Sequence, residues 1–124
     1  MIKALKAMAI GLPLLAATLV AAPGTANADA KDCPGDYFCA WTNDGFTGAM
    51  VKWNTDSAWW GTMSDNAESI YNHRASSATR KDNVQTYHDI NYGRPGVCVN
   101  PGETYDAAMS DNSYSSHEWV NTCV

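Results

Sequence analysis

The sequence predicts an all-β domain, built as a sandwich of two Greek-key motifs and stabilised by two disulfides. Three observations lead to this prediction. Short runs of aromatic and β-branched residues alternate with Gly, Asn, Asp and Pro, and no apolar stripe at helical spacing continues beyond about one turn. One block of sequence recurs 46 residues further along the chain. The four cysteines form an even set in a short polypeptide.

The first 28 residues have the composition of a secretory signal peptide. Lys3 and Lys6 precede an apolar centre at residues 7–20, and small residues follow at Ala26-Asn-Ala28. That centre is shorter than the roughly 20 residues that a membrane-spanning helix needs. We therefore expect a secreted, extracellular domain at residues 29–124, which has 124 − 28 = 96 residues and is long enough for one domain only.

The charge balance narrows the choice of partners. The chain has 8 basic and 13 acidic residues, a net charge of −5, and loss of Lys3 and Lys6 leaves 6 against 13, or −7. Such a surface repels nucleic acid and anionic membranes, so we expect neither as a partner, and we expect a monomer. A cation or a basic partner remains compatible with this charge.

All four cysteines follow the predicted cleavage site, and in an exported domain they predict two disulfides. Three pairings are possible. Pro34 and Gly35 suit a tight turn between Cys33 and Cys39, which favours the pairs Cys33–Cys39 and Cys98–Cys123. No Cys-x-x-Cys pair is present, so the sequence does not indicate a zinc site.

The predicted strands lie in two similar halves, at about residues 36–78 and 82–124. Strand-like runs include residues 37–41, 49–53, 83–87 and 96–100, each bounded by turn-forming residues. The block Met63-Ser-Asp-Asn66 recurs as Met109-Ser-Asp-Asn112, and aromatic residues match at Trp41/Tyr87 and Phe46/Tyr92. Two copies of about 45 residues predict a pair of four-stranded Greek keys.

The segment Trp41-Thr-Asn-Asp-Gly-Phe46-Thr-Gly48 resembles the aromatic corner of βγ-crystallin Greek keys. The resemblance implies a βγ-crystallin-like sandwich, in which the final Gly permits a turn that a side chain would obstruct. The second copy keeps both aromatic residues, Tyr87 and Tyr92, but it has Arg94 in place of that Gly.

Two segments resemble the calcium motif of the same superfamily, Asp65-Asn-Ala-Glu-Ser69-Ile70 and Asp111-Asn-Ser-Tyr-Ser115-Ser116. Calcium prefers six to eight hard oxygen ligands, which Asp, Asn, Ser and loop carbonyls supply. The candidate ligands form two groups, Asp65, Asn66 and Ser69 for one site and Asp111, Asn112 and Ser115 for the other. Alternatively, these residues cap turns without any metal.

The opening Cys33-Pro-Gly-Asp-Tyr-Phe-Cys39, followed by the aromatic corner, resembles the secreted Streptomyces metalloproteinase inhibitor-like family. This resemblance implies inhibition of a thermolysin-type extracellular metalloprotease through a substrate-like loop, with Cys98–Val99 as the reactive bond. The alternative is that Val97 and Val99 simply alternate inward on an ordinary strand.

Two further functions stay open, namely a calcium-binding extracellular module without a protease target and an antimicrobial protein of the killer-toxin type. We do not expect an enzyme, because no HExxH or GxSxG motif is present and His73, His88 and His117 are scattered among polar residues, as surface histidines are. At Trp59-Trp60, one ring is expected to face solvent if the segment is extended, where it would suit a binding surface.

Overall fold

The computed structural model describes residues 30–106 and 113–124, so the predicted signal peptide at residues 1–28 lies outside the described residues. The described part contains the strands β1 (Phe38–Asn43), β2 (Thr47–Trp53), β3 (Ser69–Asn72), β4 (Asn83–Asp89), β5 (Gly93–Val99), β6 (Thr104–Asp106) and β7 (Ser116–Val120). Three short 3-10 helices lie at Ala30–Asp32, Gly61–Met63 and Ile90–Tyr92. None of the helices in these two ranges has the length and apolar character needed to cross a bilayer.

The strands form two antiparallel sheets that exchange segments. One sheet has the order β2-β1-β3-β6 and the other has the order β5-β4-β7. Strand β6 comes from the second half of the chain, yet it pairs with β3 of the first half through the register Ser69↔Asp106. In return, Ser57 of the first half forms a β-bridge with His117 on β7. Each half therefore completes the sheet of the other.

The main core lies between the two sheets and includes strand residues from both halves of the chain. Its buried members are Phe38, Ala40, Trp60, Met63, Ala67, Ile70, Val84, Val99, Tyr114 and Trp119. Strand alternation places these apolar side chains on the inner faces. The predicted all-β sandwich is confirmed.

The two disulfides are the predicted ones, Cys33–Cys39 and Cys98–Cys123, with Cα–Cα distances of 5.9 and 5.6 Å. The first disulfide packs with the buried ring of Trp41 in a second, smaller apolar cluster. The second ties the end of β5 to the segment that follows β7.

The β1–β2 and β4–β5 turns adopt the same backbone conformation. Left-handed φ angles occur in both at positions 46 residues apart, which are Gly45, Phe46 and Gly48 in the first turn and Asn91, Tyr92 and Arg94 in the second. Arg94 has a φ of 51°, so the turn is retained even though a non-Gly residue is strained in this region. Its guanidinium binds both carboxylate oxygens of Asp89, at 2.8 and 2.7 Å.

The structural match between the halves shifts by one residue at β3 and β7. The hydroxyl of Ser69 donates to Asn43 O and accepts from Phe46 N, and the hydroxyl of Ser116 makes the equivalent bonds to Asp89 O and Tyr92 N. The counterpart of Ser69 is thus Ser116, 47 residues later, and not Ser115, which stands at the constant spacing. The second copy has one extra residue before β7, and the position of Ser115 is taken in the first copy by Glu68. Both donate a backbone N–H to the first aromatic residue of the corner, Glu68 N to Trp41 O and Ser115 N to Tyr87 O.

Candidate functional site

The Cys98–Val99 bond lies inside strand β5, in register with Gln85 and Val84 of β4. Val99 is 0% exposed and belongs to the main core, while Cys98 is half-buried. A side chain without exposed surface cannot enter a protease subsite unless the strand leaves the sheet. In the unbound structure Val97 and Val99 both face the main core from strand β5.

Side chains of β4 also hold the same strand in place. Thr86 Oγ1 donates to Val97 O at 2.7 Å, and Gln85 Nε2 donates to Gly96 O at 2.9 Å. The ring of Tyr114 lies directly over Gly96, where a Cβ would overlap it. These contacts add to the Cys98–Cys123 disulfide and make β5 a firmly fixed strand.

The candidate calcium ligands are only partly brought together. Asp111 and Asn112 lie outside the described residues. Ser115 Oγ donates to Asp65 Oδ1 at 3.3 Å, which joins one residue of each motif. Asn66 is exposed and donates to Thr62 O, while the hydroxyl of Ser69 is buried and makes the two structural bonds described above. Among the four candidates within the described ranges, the pair that can offer side-chain oxygens to a cation is therefore Asp65 with Ser115.

One end of the molecule, near the β4–β5 turn, carries three large exposed apolar side chains. Trp59 is 66% exposed, Ile90 52% and Tyr92 38%. Asn91 N donates to Ala58 O at 2.8 Å, so the residues on either side of Asn91 lie beside the backbone that leads into Trp59. We call Trp59, Ile90 and Tyr92 the apolar end. Of the adjacent tryptophans, Trp59 is the exposed one and Trp60 is buried.

The equivalent turn of the first copy, between β1 and β2, is polar. Asp44 stands at the position that corresponds to Ile90. A hydrogen bond with Glu68, burial and the charges of Glu68 and Asp106 raise the pKa of Asp44. Asp106 also accepts a hydrogen bond from Gly45 N at 2.7 Å. Equivalent turns therefore present acidic groups in the first copy and apolar side chains in the second.

His117 lies fully buried between the sheets, contrary to the expectation of a surface histidine. Its Nδ1 accepts a hydrogen bond from Trp60 Nε1 at 2.9 Å, and its Nε2 lies 2.9 Å from Thr55 O. An indole N–H only donates and a carbonyl only accepts, so the imidazole is neutral with its proton on Nε2. Burial lowers the pKa of His117 to about 4.

An open cavity of about 500 Å³ lies beside the first disulfide turn, lined by Asp36, His73, Arg74 and Pro101 among others. Arg74 is 7% exposed, and burial lowers its pKa. Its guanidinium contacts Asp36 and donates to the carbonyls of Asn54 and Lys81, at 3.0 and 2.9 Å. These bonds tie two loops of the first half to Lys81, in the link that precedes the second half.

The fold and the paired turns define a domain of the βγ-crystallin type. Solved structures with this fold include a βγ-crystallin from an archaeon, which is 24% identical, covers 70% of this chain and 100% of its own, and has a TM-score of 0.55. A βγ-crystallin from Ciona intestinalis is 16% identical over 67% of this chain and 98% of its own, again with a TM-score of 0.55. A third structure, from work on the evolution of the eye lens βγ-crystallin domain fold, is 11% identical over 77% and 91%, also at 0.55. These likenesses show the fold.

The chain belongs to peptidase inhibitor family I36, whose family model matches residues 26–99. This match confirms the resemblance to the Streptomyces metalloproteinase inhibitor family. No curated protein matches the chain.

Sequence reasoning missed one feature of this surface, the apolar end. The apolar end combines residues from two segments about 30 positions apart in sequence, and only the Asn91–Ala58 hydrogen bond reveals that they are neighbours. A comparison of the paired turns would have given part of the answer, because Asp44 in one aligns with Ile90 in the other.

Proposed function

We propose that the protein is a secreted inhibitor of metallopeptidases of the thermolysin type. Membership of a peptidase inhibitor family is the observation that carries this proposal. The predicted signal peptide and the two disulfides support export, since disulfides persist in oxidising compartments. On this proposal the protein is not an enzyme, and its partner is an extracellular peptidase.

The rigidity of the domain suits a protein that has to resist the enzyme it binds. Two disulfides, the exchanged strands and the doubly bonded turns fix the surface before binding. A fixed surface loses little conformational entropy when a complex forms, which favours tight binding. The same fixed strands do not readily leave their sheets to enter the cleft of a peptidase.

Substrate-like inhibition through Cys98–Val99 would require Val99 to leave the core. Cleavage at this bond in the folded protein is the direct sign of that mechanism. Mass spectrometry after prolonged incubation with thermolysin tests it. A product that ends at Cys98, held by the disulfide and formed without loss of the folded state, would support the reactive-bond mechanism, and inhibition without any such product would argue against it.

The function is tested by measuring thermolysin activity on a peptide substrate while purified secreted protein is added. We expect activity to fall as the protein is added. Protein whose disulfides have been reduced and alkylated is the control, and it should lose inhibitory activity because the fixed surface is lost. Full thermolysin activity at a large molar excess of folded protein would refute the thermolysin-type proposal.

Calcium binding is a second candidate property, favoured by the contact between Asp65 and Ser115 across the two copies. These groups supply a carboxylate and a hydroxyl, both hard oxygen donors that calcium accepts. In the family, Asp111 and Asn112 of the same motif would complete such a site. When bound, the cation would join the two motifs and hold them together.

Calorimetric titration of the secreted protein with calcium tests the second candidate. The matched variants are Asp65→Asn and Ser115→Ala, with Ser64→Ala as a control in the same turn. We expect heat of binding and a higher melting temperature for the wild type, and weaker binding for the two ligand variants. No heat and no change in melting temperature at millimolar calcium would refute calcium binding.

A further inference from the structure

The backbone on the two sides of the Cys98–Val99 bond is fixed by separate sets of contacts. On the Cys98 side, the disulfide and the two β4 side chains described above hold residues 96–98. On the Val99 side, hydrogen bonds from Asn72 and Glu103 hold Val99 and the residue after it. Each side of the bond is therefore attached to the rest of the domain without the other.

Asn72 is a fully buried polar residue at the end of β3, in the opposite sheet. Its Nδ2 donates to Val99 O at 3.0 Å and to Asp82 O at 2.8 Å. Its Oδ1 accepts a hydrogen bond from Arg74 N at 3.0 Å. A buried amide is costly unless its polar atoms are paired, so these partners keep the side chain in one position. Asn72 thereby fixes the carbonyl of Val99 from the other sheet.

Glu103 closes the turn that follows β5 through three hydrogen bonds to Asn100. Glu103 N donates to Asn100 O at 3.0 Å. In return, Glu103 Oε1 accepts from Asn100 N at 2.8 Å and from Asn100 Nδ2 at 3.1 Å. Bonds to a carboxylate are stronger than those between neutral groups. The residue directly after Val99 is therefore held by a side chain that lies outside the disulfide-bonded strand.

From this two-sided arrangement we infer that Asn72 and Glu103 are positioning residues, which hold the Val99 side of the bond in place when a peptidase breaks it. The inference rests on the proposed inhibition through Cys98–Val99 and adds the residues that make inhibition last. Hydrolysis breaks the bond between Cys98 C and Val99 N and consumes one water. It leaves a carboxylate on Cys98 and an ammonium group on Val99.

The contacts on both sides keep these two new chain ends together. The Val99 side chain has to leave the core when a peptidase engages the bond, but the fixed Val99 carbonyl and Asn100 limit how far it moves. Groups held side by side react as if at a very high local concentration. The peptidase can therefore re-form the bond with release of one water, so that intact inhibitor stays populated and inhibition persists.

The test changes Glu103, because it is half-buried and less critical to the core than Asn72. Thermolysin is mixed with an excess of the full secreted protein, and the return of its activity on a peptide substrate is followed over time. Mass spectrometry after reduction measures the fraction cut at Cys98–Val99. We expect Glu103→Ala to shorten the half-time of recovery and to raise the ratio of cut to intact protein, each by about tenfold, as the loss of one bond to a carboxylate implies.

Two further variants distinguish positioning from a general loss of stability. Glu103→Gln keeps an oxygen that accepts from Asn100, so its half-time should stay close to that of the wild type. Glu118→Ala is the matched control, because Glu118 is also half-buried and its carboxylate accepts a hydrogen bond from Tyr87 Oη at 2.9 Å. Both Ala variants should lower the melting temperature, and only Glu103→Ala should shorten inhibition.

The outcomes separate the inference from the proposed function. A half-time in folded Glu103→Ala that equals the wild-type value, or that is shortened equally in Glu118→Ala, overturns the positioning role and leaves inhibition intact. Wild-type inhibition that never decays, with no product cut at Cys98–Val99 in any variant, does the same. Absence of inhibition by the wild type overturns the proposed function and the inference with it.

Discussion

Lowering the pH from neutral towards 4 is expected to destabilise the fold through one side chain, His117. The imidazole of His117 packs against the rings of Phe38, Trp53 and Trp60, at centroid distances of 4.9, 5.0 and 5.9 Å. The nearby charge is that of Asp56. Protonation would put a second N–H against the indole N–H of Trp60 and a charge into an apolar site. Neither can be accommodated without opening the sandwich.

The size of this loss of stability follows from the pKa of the imidazole in the folded and in the unfolded chain. Burial lowers the pKa of folded His117 to about 4, compared with 6.5 for the ordinary group. A lowered His pKa means that the unfolded chain takes up the proton first, so stability is complete above about pH 6.5 and is lost as the pH falls towards 4. Proton linkage gives a loss of about 2 kcal/mol at pH 5 and about 3 kcal/mol at pH 4.

Urea unfolding followed by tryptophan fluorescence at pH 7.5 and pH 5 measures this loss. His117→Gln is the informative variant, because a neutral amide can still donate to Thr55 O and accept from Trp60. We expect it to start less stable and to lose far less stability between the two pH values than the wild type. His88→Gln, on a half-buried ring bonded to Ser113, is the control. A wild-type pH dependence that persists unchanged in His117→Gln would refute the reasoning.

Three other predictions concern stability and are checked by the same urea unfolding at pH 7.5. Arg94→Gly should stabilise the fold by about 1 kcal/mol, because Gly accepts the left-handed conformation and an exposed ion pair contributes little. Gly48→Ala, the matched change in the other turn, should destabilise it, since a Cβ there would overlap side chains of β1. Destabilisation by Arg94→Gly would contradict the first expectation, and unchanged stability of Gly48→Ala would contradict the second. Joint replacement of Cys98 and Cys123 by Ala should lower stability by about 3 kcal/mol, and no loss would show that this bridge does not constrain the unfolded chain. Val99→Ala should cost about 2 kcal/mol, and a neutral result would argue that Val99 is not in the core.

Much of the fold could be predicted because residues close together in the sequence determine it. The aromatic corner from Trp41 to Gly48 and the turn between Cys33 and Cys39 depend on residues close together in the chain. Register is different, because it depends on pairing with another strand. Whether Val99 faces the core or solvent is decided by its position opposite Val84, and the sequence alone left both readings open.

The site was less predictable for related reasons. The identical blocks at residues 63–66 and 109–112 suggested a constant spacing, whereas the hydrogen bonds of Ser69 and Ser116 show one extra residue in the second copy. His117 stands among polar neighbours in sequence, yet strand alternation and the bridge to Ser57 turn its ring into the core. Long-range contacts of this kind leave little trace in composition.

Binding to a thermolysin-type peptidase is tested most directly by hydrogen–deuterium exchange of the protein with and without thermolysin. The account predicts that thermolysin slows exchange in a defined set of segments of the folded protein, and slower exchange in residues 96–103 would assign the contact to the Cys98–Val99 bond. Exchange that is unchanged in every segment at saturating thermolysin would contradict the account.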